Sequence, residues 1–287
     1  MAARWSGIRY RLRQRCWGLL RRLLPREITD RVDGATLRYR PRTDIGKALY
    51  LTGEFERKDI ALIASILGTE EARALTIFDL GANVGVHSIT LCRLLPQARV
   101  VAFEPSARTR RLLEWNIRSN GLEGRVAVEP YAVSNVRGSA EFFEMDDDAY
   151  SSLKDTGRKR LLGKSTVALE TLDHYVVSRG IRQVDLVKID VEGFETEVIE
   201  GGMRMLEAFK PDLFVEIYQG RNSNPDPDRT IGLLAAAGYN AWVVDEGRLR
   251  PLVRHEDRYY NYYFSVRDLA PGLERPGAVS PSESARR

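Results

Sequence analysis

Cysteine and histidine are scarce in this sequence, which has two cysteines and three histidines among 287 residues. Cys16 and Cys92 lie far apart, so the chain has no disulfide framework like those of small secreted domains. The three histidines, His87, His174 and His255, lack metal-ligand spacing, which argues against a zinc site built on histidines. A reducing compartment, the cytoplasm, is therefore expected.

Long apolar runs and a strong overall charge are also missing. No stretch approaches the roughly 20 apolar residues that a membrane-spanning helix needs. The formal net charge is +4, and it comes from an arginine-rich segment over residues 1–26, because the remainder of the chain is slightly acidic. The charge of the main domain therefore gives no indication of a nucleic-acid partner, and none is expected.

Residues 1–26 predict a basic amphipathic helix ahead of the main domain. Apolar residues, Trp5 and Trp17 among them, recur between the arginines at three- and four-residue steps, and Pro25 ends the pattern. Such a helix can lie on an anionic membrane surface. It can also pack on the domain or on a second subunit, with its arginines in solvent. A mitochondrial transit peptide has a similar composition, so peripheral membrane contact, oligomer formation and targeting all stay open.

Residues 27–270 are expected to form one α/β domain, followed by a disordered tail over residues 271–287 that is rich in proline, serine, glycine and arginine. Strand patterns and helix patterns alternate along the domain, which predicts a mainly parallel, twisted sheet with helices on both faces. Before this alternation begins, the pair Asp33-Gly34 predicts a small hairpin within residues 29–40.

Residues 76–104, TIFDLGANVGVHSITLCRLLPQARVVAFE, have the pattern of half a nucleotide-binding unit. A buried strand leads into a glycine turn, and a helix and a second strand follow. Gly81 and Gly85 would let the backbone come close to a ligand. Glu104, at the end of the second strand, is placed to accept hydrogen bonds from both hydroxyls of a ribose.

The spacing of the turn favours S-adenosylmethionine (SAM) over a dinucleotide. The close glycine pair that cradles a pyrophosphate is missing from Gly81-x-x-x-Gly85. Asp79 would repel a phosphate; it would instead meet the ammonium of an amino-acid ligand, or it would hold the turn. Asn83 is predicted at the carboxylate end of SAM. An NAD(P)-dependent oxidoreductase is the alternative.

Residues 125–133 predict a third strand and the start of a loop over residues 131–135. This loop, which includes Ala132 and Asn135, is placed at the strand end to reach the adenine. A hairpin is expected next, whose strands flank a polar segment over residues 145–164. Segments of this kind commonly carry substrate contacts.

Asp190 and Glu192 follow the fourth predicted strand, residues 184–189, which is apolar at its end except for Lys188. In extended backbone, residues two apart point the same way. The two carboxylates would then form a base for an acceptor hydroxyl or part of a Mg²⁺ site. The alternative is that they cap the following helix. His87, at the start of the first helix, is the third candidate catalytic residue.

Several segments occur along the chain in the order DLGANVGVHS, FEPSARTRRLLEWNIRSNGL, AVSN, SSL, VDLVKIDVEGFETEVIEGG and PDLFVEI. This series resembles the FkbM family of SAM-dependent methyltransferases over roughly residues 50–266. The resemblance implies a Rossmann-like class I SAM methyltransferase fold, with an antiparallel last strand over residues 260–266.

The same resemblance implies methyl transfer, expected on a hydroxyl of a small molecule: a sugar, a glycan or a secondary metabolite. SAM would be the cofactor, with Mg²⁺ as an optional addition. The alternative from outside the enzymes is a membrane-associated protein that binds SAM without turning it over.

Overall fold

A computed structural model gives the structure of this protein and describes residues 14–15, 17–68, 73–218, 224 and 226–269. Residues 1–13 of the predicted N-terminal helix, Cys16 and the predicted disordered tail lie outside these ranges. The described residues form a central eight-stranded sheet, a small three-stranded sheet and a two-stranded hairpin.

The helices in chain order are α1 Trp17–Leu23, α2 Asp44–Thr52, α3 Arg57–Leu67, α4 Val86–Leu94, α5 Ala107–Ser119, α6 Leu172–Ser178, α7 Glu195–Glu200, α8 Met203–Phe209 and α9 Pro227–Ala236. The strands are β1 Ile28–Val32, β2 Ala35–Tyr39, β3 Leu75–Leu80, β4 Ala98–Phe103, β5 Val126–Glu129, β6 Tyr131–Val133, β7 Gly138–Met145, β8 Leu161–Glu170, β9 Leu186–Ile189, β10 Asp212–Glu216, β11 Asn240–Asp245, β12 Arg248–Pro251 and β13 Asn261–Ser265. A short 3₁₀ helix covers Asp148–Tyr150.

The central sheet has the strand order β12-β11-β13-β10-β9-β3-β4-β5. Strands β3, β4, β5, β9 and β10 pair in parallel, whereas β13 runs antiparallel to both of its neighbours, β10 and β11. Helices separate the parallel strands along the chain because parallel neighbours need a crossover connection. The predicted Rossmann-like α/β fold, with a mainly parallel sheet and an antiparallel last strand, is confirmed.

Helices cover both faces of the central sheet. Ile77 and Phe78 are neighbours in β3 and point to opposite faces, because successive side chains alternate along a strand. Ile77 packs in one buried cluster with Ile63 of α3 and Ile89 of α4. Phe78 packs in a second cluster with residues of α6 to α9, such as Tyr175. Burial on both sides explains why the central strands are almost continuously apolar in sequence.

The carboxyl ends of the central strands meet at one edge of the sheet. Leu80, the last residue of β3, pairs with Phe103 in β4 and with Ile189 in β9. Ile189 in turn pairs with Val215 in β10. The loops that follow these strands therefore begin side by side, at the edge where open α/β sheets bind their ligands.

The predicted N-terminal hairpin is present as β1 and β2. Its turn residues Asp33 and Gly34 have φ angles of +48° and +80°, as expected for a two-residue turn with both central residues in the left-handed region. The side-chain amides of Asn116 and Asn120 hydrogen-bond to the backbone of β2. These bonds attach the hairpin to α5 and the edge of the main domain.

The loop predicted over residues 131–135 is wrong in part, because residues 131–133 form a strand of their own. Strand β5 ends at Glu129, and β6 begins at Tyr131 in a separate sheet with the order β6-β8-β7. Pro130 lies between them and has no N–H group to donate to a strand ladder, so it interrupts the pairing. The predicted hairpin on either side of the polar segment is present as β7 and β8.

Helix α1 is the described part of the predicted N-terminal helix, and none of its residues is buried. The ring of Trp17 lies 5.9 Å from the ring of Tyr50 in α2. Within the ranges that the structure describes, no helix has the length and apolar character needed to cross a membrane. Membrane contact and packing on a second subunit both stay predictions.

Candidate functional site

A cavity of about 390 Å³ lies at the carboxyl edge of the central sheet. Its walls come from the turn after β3, from the ends of β4, β9 and β10, from β6, and from the segment between β7 and β8. Carboxylates dominate the polar part of its lining, which includes Asp44, Glu56, Glu104, Asp148, Asp190, Glu192 and Glu216. Such a lining suits ligands that bring hydroxyl groups or positive charge.

The glycine turn between β3 and α4 borders the cavity at Gly81 and Asn83. Gly81 has a φ of +74°, and a Cβ on it would collide with the carbonyl oxygen of Asp190. Glycine is required here because another strand end comes close. Gly85 has a φ of +89°, and a Cβ there would meet Leu113 in α5. The structure therefore places Gly85 at a helix contact instead of at the cavity.

The backbone N–H groups of the turn are all used within the protein. Each of the five residues 81–85 donates to an oxygen within the turn, to the last residue of β4 or to Glu104, which follows β4. The pairs are Gly81 and Ala82 to the Phe103 carbonyl (3.1 and 3.0 Å), Asn83 to the Glu104 carboxylate (3.0 Å), Val84 to the Asn83 side chain (2.8 Å) and Gly85 to the Ala82 carbonyl (2.8 Å). These five groups are therefore not available to a pyrophosphate.

Glu104 lies at the end of β4 and lines the cavity, as the sequence predicts. One carboxylate oxygen accepts the N–H of Asn83 at 3.0 Å, and the other accepts the N–H of Ser106 at 2.9 Å. Burial raises the pKa of Glu104 to about 8, although these two hydrogen bonds oppose the shift. Each oxygen of a carboxylate has a further acceptor position, so Glu104 is fixed in place and still able to bind two hydroxyls.

Asp79 is fully buried and does not line the cavity. Its carboxylate accepts a hydrogen bond from Ser88 Oγ at 2.6 Å and lies 3.4 Å from the ammonium of Lys188. That ammonium also lies 3.2 Å from Asp190 and donates to the Gly81 carbonyl at 3.1 Å. Of the two roles expected for Asp79, this geometry favours holding the turn over meeting the ammonium of a ligand.

Asp190 and Glu192 both line the cavity, but extended backbone does not bring them there. Glu192 has a φ of +54°, so the predicted alternation does not apply and the basis of that prediction is wrong. Glu192 lies 2.6 Å from the guanidinium of Arg158. Burial, and then the charge of Asp190, raise the pKa of Glu192 to about 8. The charge of Asp190 is therefore close enough to affect the ionisation of Glu192.

Neither carboxylate caps the following helix. The N-cap of α7 is Phe194, and no side-chain hydrogen bond is made at this cap. The carboxylate of Glu195 instead accepts the N–H of Gly193 at 2.8 Å. The capping role, which was the structural alternative for Asp190 and Glu192, therefore has no support.

His87 and Asn135 lie outside the cavity lining. His87 is buried, with Nε2 3.1 Å from the carboxylate of Glu56 and its ring 6.2 Å from that of Phe214. Asn135, which is exposed, donates to the half-buried carboxylate of Glu200 at 2.9 Å. Of the loop predicted near the adenine, residues 131–133 line the cavity, Ala132 among them. The structure thus places His87 behind Glu56, which lines the cavity, and it places Asn135 on the surface.

The sequence analysis assigned no role to Glu56 and did not place Glu216 among the candidate catalytic residues. Glu56 stands at the start of α3, and the hydrogen bond and charge of His87 hold the pKa of Glu56 below its ordinary value, although burial opposes this. Glu216 is the last residue of β10 and lines the cavity. The available signal for Glu216 was a charged residue directly after the three apolar residues 213–215 of a strand.

The described residues contain no group of three or more acidic, histidine or cysteine side chains with an arrangement that would hold a metal ion. The Mg²⁺ site considered for Asp190 and Glu192 therefore has no support from the structure. Lys188 and Arg158 already occupy one side of each carboxylate.

The model of the methyltransferase FkbM domain matches residues 79–241 of this chain. Among curated proteins, hexuronic acid methyltransferase AglP of Haloferax volcanii is 29% identical over 174 residues, 60% of this chain and 66% of AglP. The 2-O-methyltransferase NoeI of Sinorhizobium fredii is 26% identical over 144 residues, 45% of this chain and 58% of NoeI. The chain thus spans less than two thirds of the length of either relative.

Among solved structures, the methyltransferase FkbM from Methylobacillus flagellatus is similar with a TM-score of 0.48 and 17% identity. The similarity covers 75% of this chain and 52% of that one.

Proposed function

The chain belongs to the FkbM methyltransferase family, and we propose that it transfers a methyl group from SAM to a hydroxyl of a sugar, glycan or other small metabolite. The observation that carries the proposal is the position of Glu104. In a member of this family, a buried carboxylate at the end of β4 faces a cavity at the ligand-binding edge of the sheet.

The residues around Glu104 fit SAM. Glu104 would accept hydrogen bonds from the two ribose hydroxyls, and Asn83 would lie beside the amino-acid part. The apolar residues Phe103, Ala132 and Phe142 line the same cavity and offer a surface for an adenine ring. When bound, SAM supplies a methyl group that its sulfonium has already activated.

The turn also argues against the oxidoreductase alternative. All N–H groups of residues 81–85 are paired within the protein, whereas a dinucleotide-binding turn presents such groups to a pyrophosphate. The family match and the paired turn together favour SAM over NAD(P).

An oxygen acceptor is supported by the carboxylates at the other end of the cavity. A hydroxyl must lose its proton as it attacks a methyl group, so a carboxylate within reach assists the reaction. Asp190 and Glu216 are both available from the sheet edge. The relatives AglP, named for a hexuronic acid, and NoeI, named a 2-O-methyltransferase, favour a sugar hydroxyl for this chain.

Calorimetry and a transfer assay test the proposal. We expect the protein to bind SAM and S-adenosylhomocysteine (SAH), but not NAD. With methyl-labelled SAM, we expect label to appear in a sugar such as methyl β-D-glucopyranoside or methyl β-D-glucuronide. Binding of NAD in place of SAH would support the oxidoreductase. Binding of SAH without any label transfer would support a SAM-binding protein without turnover.

A further inference from the structure

We propose that Glu216 is the general base that takes the proton of the acceptor hydroxyl. The inference rests on the proposed function and assigns one catalytic residue of that reaction. It differs from the expectation drawn from the sequence, which gave this task to Asp190.

The sheet register puts Glu216 in line with the rest of the site. Leu80 pairs with Ile189, and Ile189 pairs with Val215, so the next residues, Gly81, Asp190 and Glu216, follow at the same level of the sheet edge. Gly81 and Asp190 are in contact through the Asp190 carbonyl. Glu216 is thus one strand further from the glycine turn than Asp190, and it lines the same cavity.

The other carboxylates of the cavity already have partners. Asp190 lies 3.2 Å from Lys188, and Glu192 lies 2.6 Å from Arg158. Similar pairs or hydrogen bonds involve Glu56 with His87, Asp44 with Lys159, Asp148 with Arg40, and Glu104 with two backbone N–H groups.

For the carboxylate of Glu216, by contrast, the described part of the chain supplies no hydrogen-bond donor and no ion-pair partner. Its backbone is held in the ladder opposite Asn261 of β13. The carboxylate of Glu216 is half-buried in the wall of the cavity. An ionised group in such a place gains free energy from a hydrogen-bond donor, and the hydroxyl of an acceptor in the cavity would be such a donor.

The groups that face Glu216 favour uptake of a proton. Burial, and then the charges of Asp190 and Glu192 after β9 and of Glu56 at the start of α3, raise the pKa of Glu216 well above its ordinary value, while Lys188 in β9 opposes the shift. Asp190 has the ammonium of Lys188 3.2 Å away, so its charge already has a partner within the protein. A carboxylate with higher proton affinity is the more effective base near neutral pH.

The reaction step balances with these groups alone. The acceptor oxygen forms a bond to the methyl carbon while its proton passes to the carboxylate of Glu216. The electron pair of the broken carbon–sulfur bond stays on sulfur, and SAH leaves as a neutral thioether. Glu216 then returns its proton to solvent.

The test compares Glu216→Gln with Asp190→Asn in the full chain, with methyl-labelled SAM and the two methyl glycosides as acceptors. The amide preserves shape but cannot accept the proton. We expect Glu216→Gln to lose about 10²- to 10⁴-fold in kcat, the range typical of a general base, while its Kd for SAH stays within about threefold of the wild-type value. Glu207→Gln, an exposed glutamate in α8, is the matched control and should match the wild type.

The pH profile gives a second readout. The rate of the wild-type protein should fall on the acid side with a pKa above the ordinary range of a glutamate, because protonated Glu216 is inactive. This limb should disappear in Glu216→Gln, and Glu216→Asp should recover part of the rate.

Four results would overturn the inference. The first is turnover by Glu216→Gln at a rate close to wild type, and the second is loss of turnover in Asp190→Asn alone. In either case the methyltransferase assignment stands. The third is a wild-type protein that binds SAH but labels neither glycoside, which removes the proposed function and this base together. A loss of SAH binding in Glu216→Gln would show a structural role and also contradicts the proposal.

Discussion

At the scale of single residues, Lys188 organises the sheet edge. Its ammonium lies between Asp79 and Asp190 and donates to the carbonyl of Gly81. Burial alone would lower the pKa of this ammonium, but the charges of Asp190, Asp79 and Glu56 raise it above its ordinary value. Lys188 therefore stays charged and joins β3, the glycine turn and β9 in one unit.

Replacement of Lys188 should be among the most damaging changes to stability. Lys188→Met keeps the length of the side chain but leaves Asp79 and Asp190 without their cation. Removal of one partner from a buried ion pair costs about 3–5 kcal/mol, which denaturant unfolding would measure. Lys164→Met is the control: Lys164 pairs with Glu141 on the surface, and such pairs contribute about 0–1 kcal/mol. Equal losses in both variants would contradict the role given to Lys188.

Glu104 allows a test of the cofactor end of the site. A hydrogen bond to a charged group is worth about 1.5–3 kcal/mol, so above pH 8, where Glu104 is ionised, Glu104→Ala should weaken SAM about ten- to a hundredfold. Calorimetry gives the affinity, and circular dichroism checks the fold. Glu123→Ala removes an exposed glutamate and should leave binding unchanged. An unchanged affinity in Glu104→Ala would remove this residue from the proposed SAM site.

The same residues show how far a sequence defines such a site. Glu104 was predictable because its position depends only on where a strand ends. The choice between Asp190 and Glu216 was not predictable, because it depends on which carboxylate has Lys188 beside it. Strand register sets that neighbour, and no local pattern carries the register of non-consecutive strands.

At the scale of elements, the glycine turn couples the first strand to the fourth parallel strand. Gly81 is the point of contact, since the end of β9 occupies the space of a Cβ. The sequence indicated the turn and its glycines but attributed them to a ligand. The identity of a close neighbour appears only when the strands are assembled. The end of β5 before Pro130 was open to prediction, because proline cannot continue a ladder.

Two alanine variants distinguish the free-energy cost of a left-handed backbone from the cost of a steric collision at the added Cβ. Gly121 has a φ of +65°, and a Cβ added to it would meet open space. Gly81 has a φ of +74°, and a Cβ added to it would collide with the carbonyl of Asp190. Gly121→Ala should cost about 1–2 kcal/mol, the cost of a left-handed non-glycine residue. Gly81→Ala should cost clearly more in denaturant unfolding and also weaken SAH in calorimetry. Similar costs for both variants would show that the close contact with β9 carries no energy.

At the scale of the whole molecule, the elements before β3 complete the proposed site. Asp44 of α2 and Glu56 beside α3 line the cavity, and Tyr150 from the polar segment donates to Asp44 at 2.7 Å. These contacts join segments far apart in sequence. Local patterns predicted the hairpin and the α/β order, whereas the closure of the cavity by residues 44–56 depends on long-range packing that the sequence does not display.

Helix α1 is attached to the main domain, and it exposes apolar and basic side chains next to each other. Leu19 and Leu23 are 66% and 75% exposed, and Arg21 and Arg22 lie in the last turn of the helix. Arg42 donates to the carbonyl of Leu24 at 2.8 Å, which holds the end of the helix at the domain surface. An exposed leucine pair beside arginines fits an anionic membrane surface better than solvent.

Vesicle sedimentation tests this membrane contact. The full chain should sediment with vesicles that contain phosphatidylserine at low salt, and less as salt screens the arginines. Deletion of residues 1–25 should abolish sedimentation and leave SAH binding unchanged, because the cavity lies in residues 44–261. The double variant Leu19→Ser/Leu23→Ser keeps every arginine and should lose most of the association if apolar insertion contributes. If the full chain stays in solution with these vesicles at low salt, α1 is a packing element on the domain or on a second subunit.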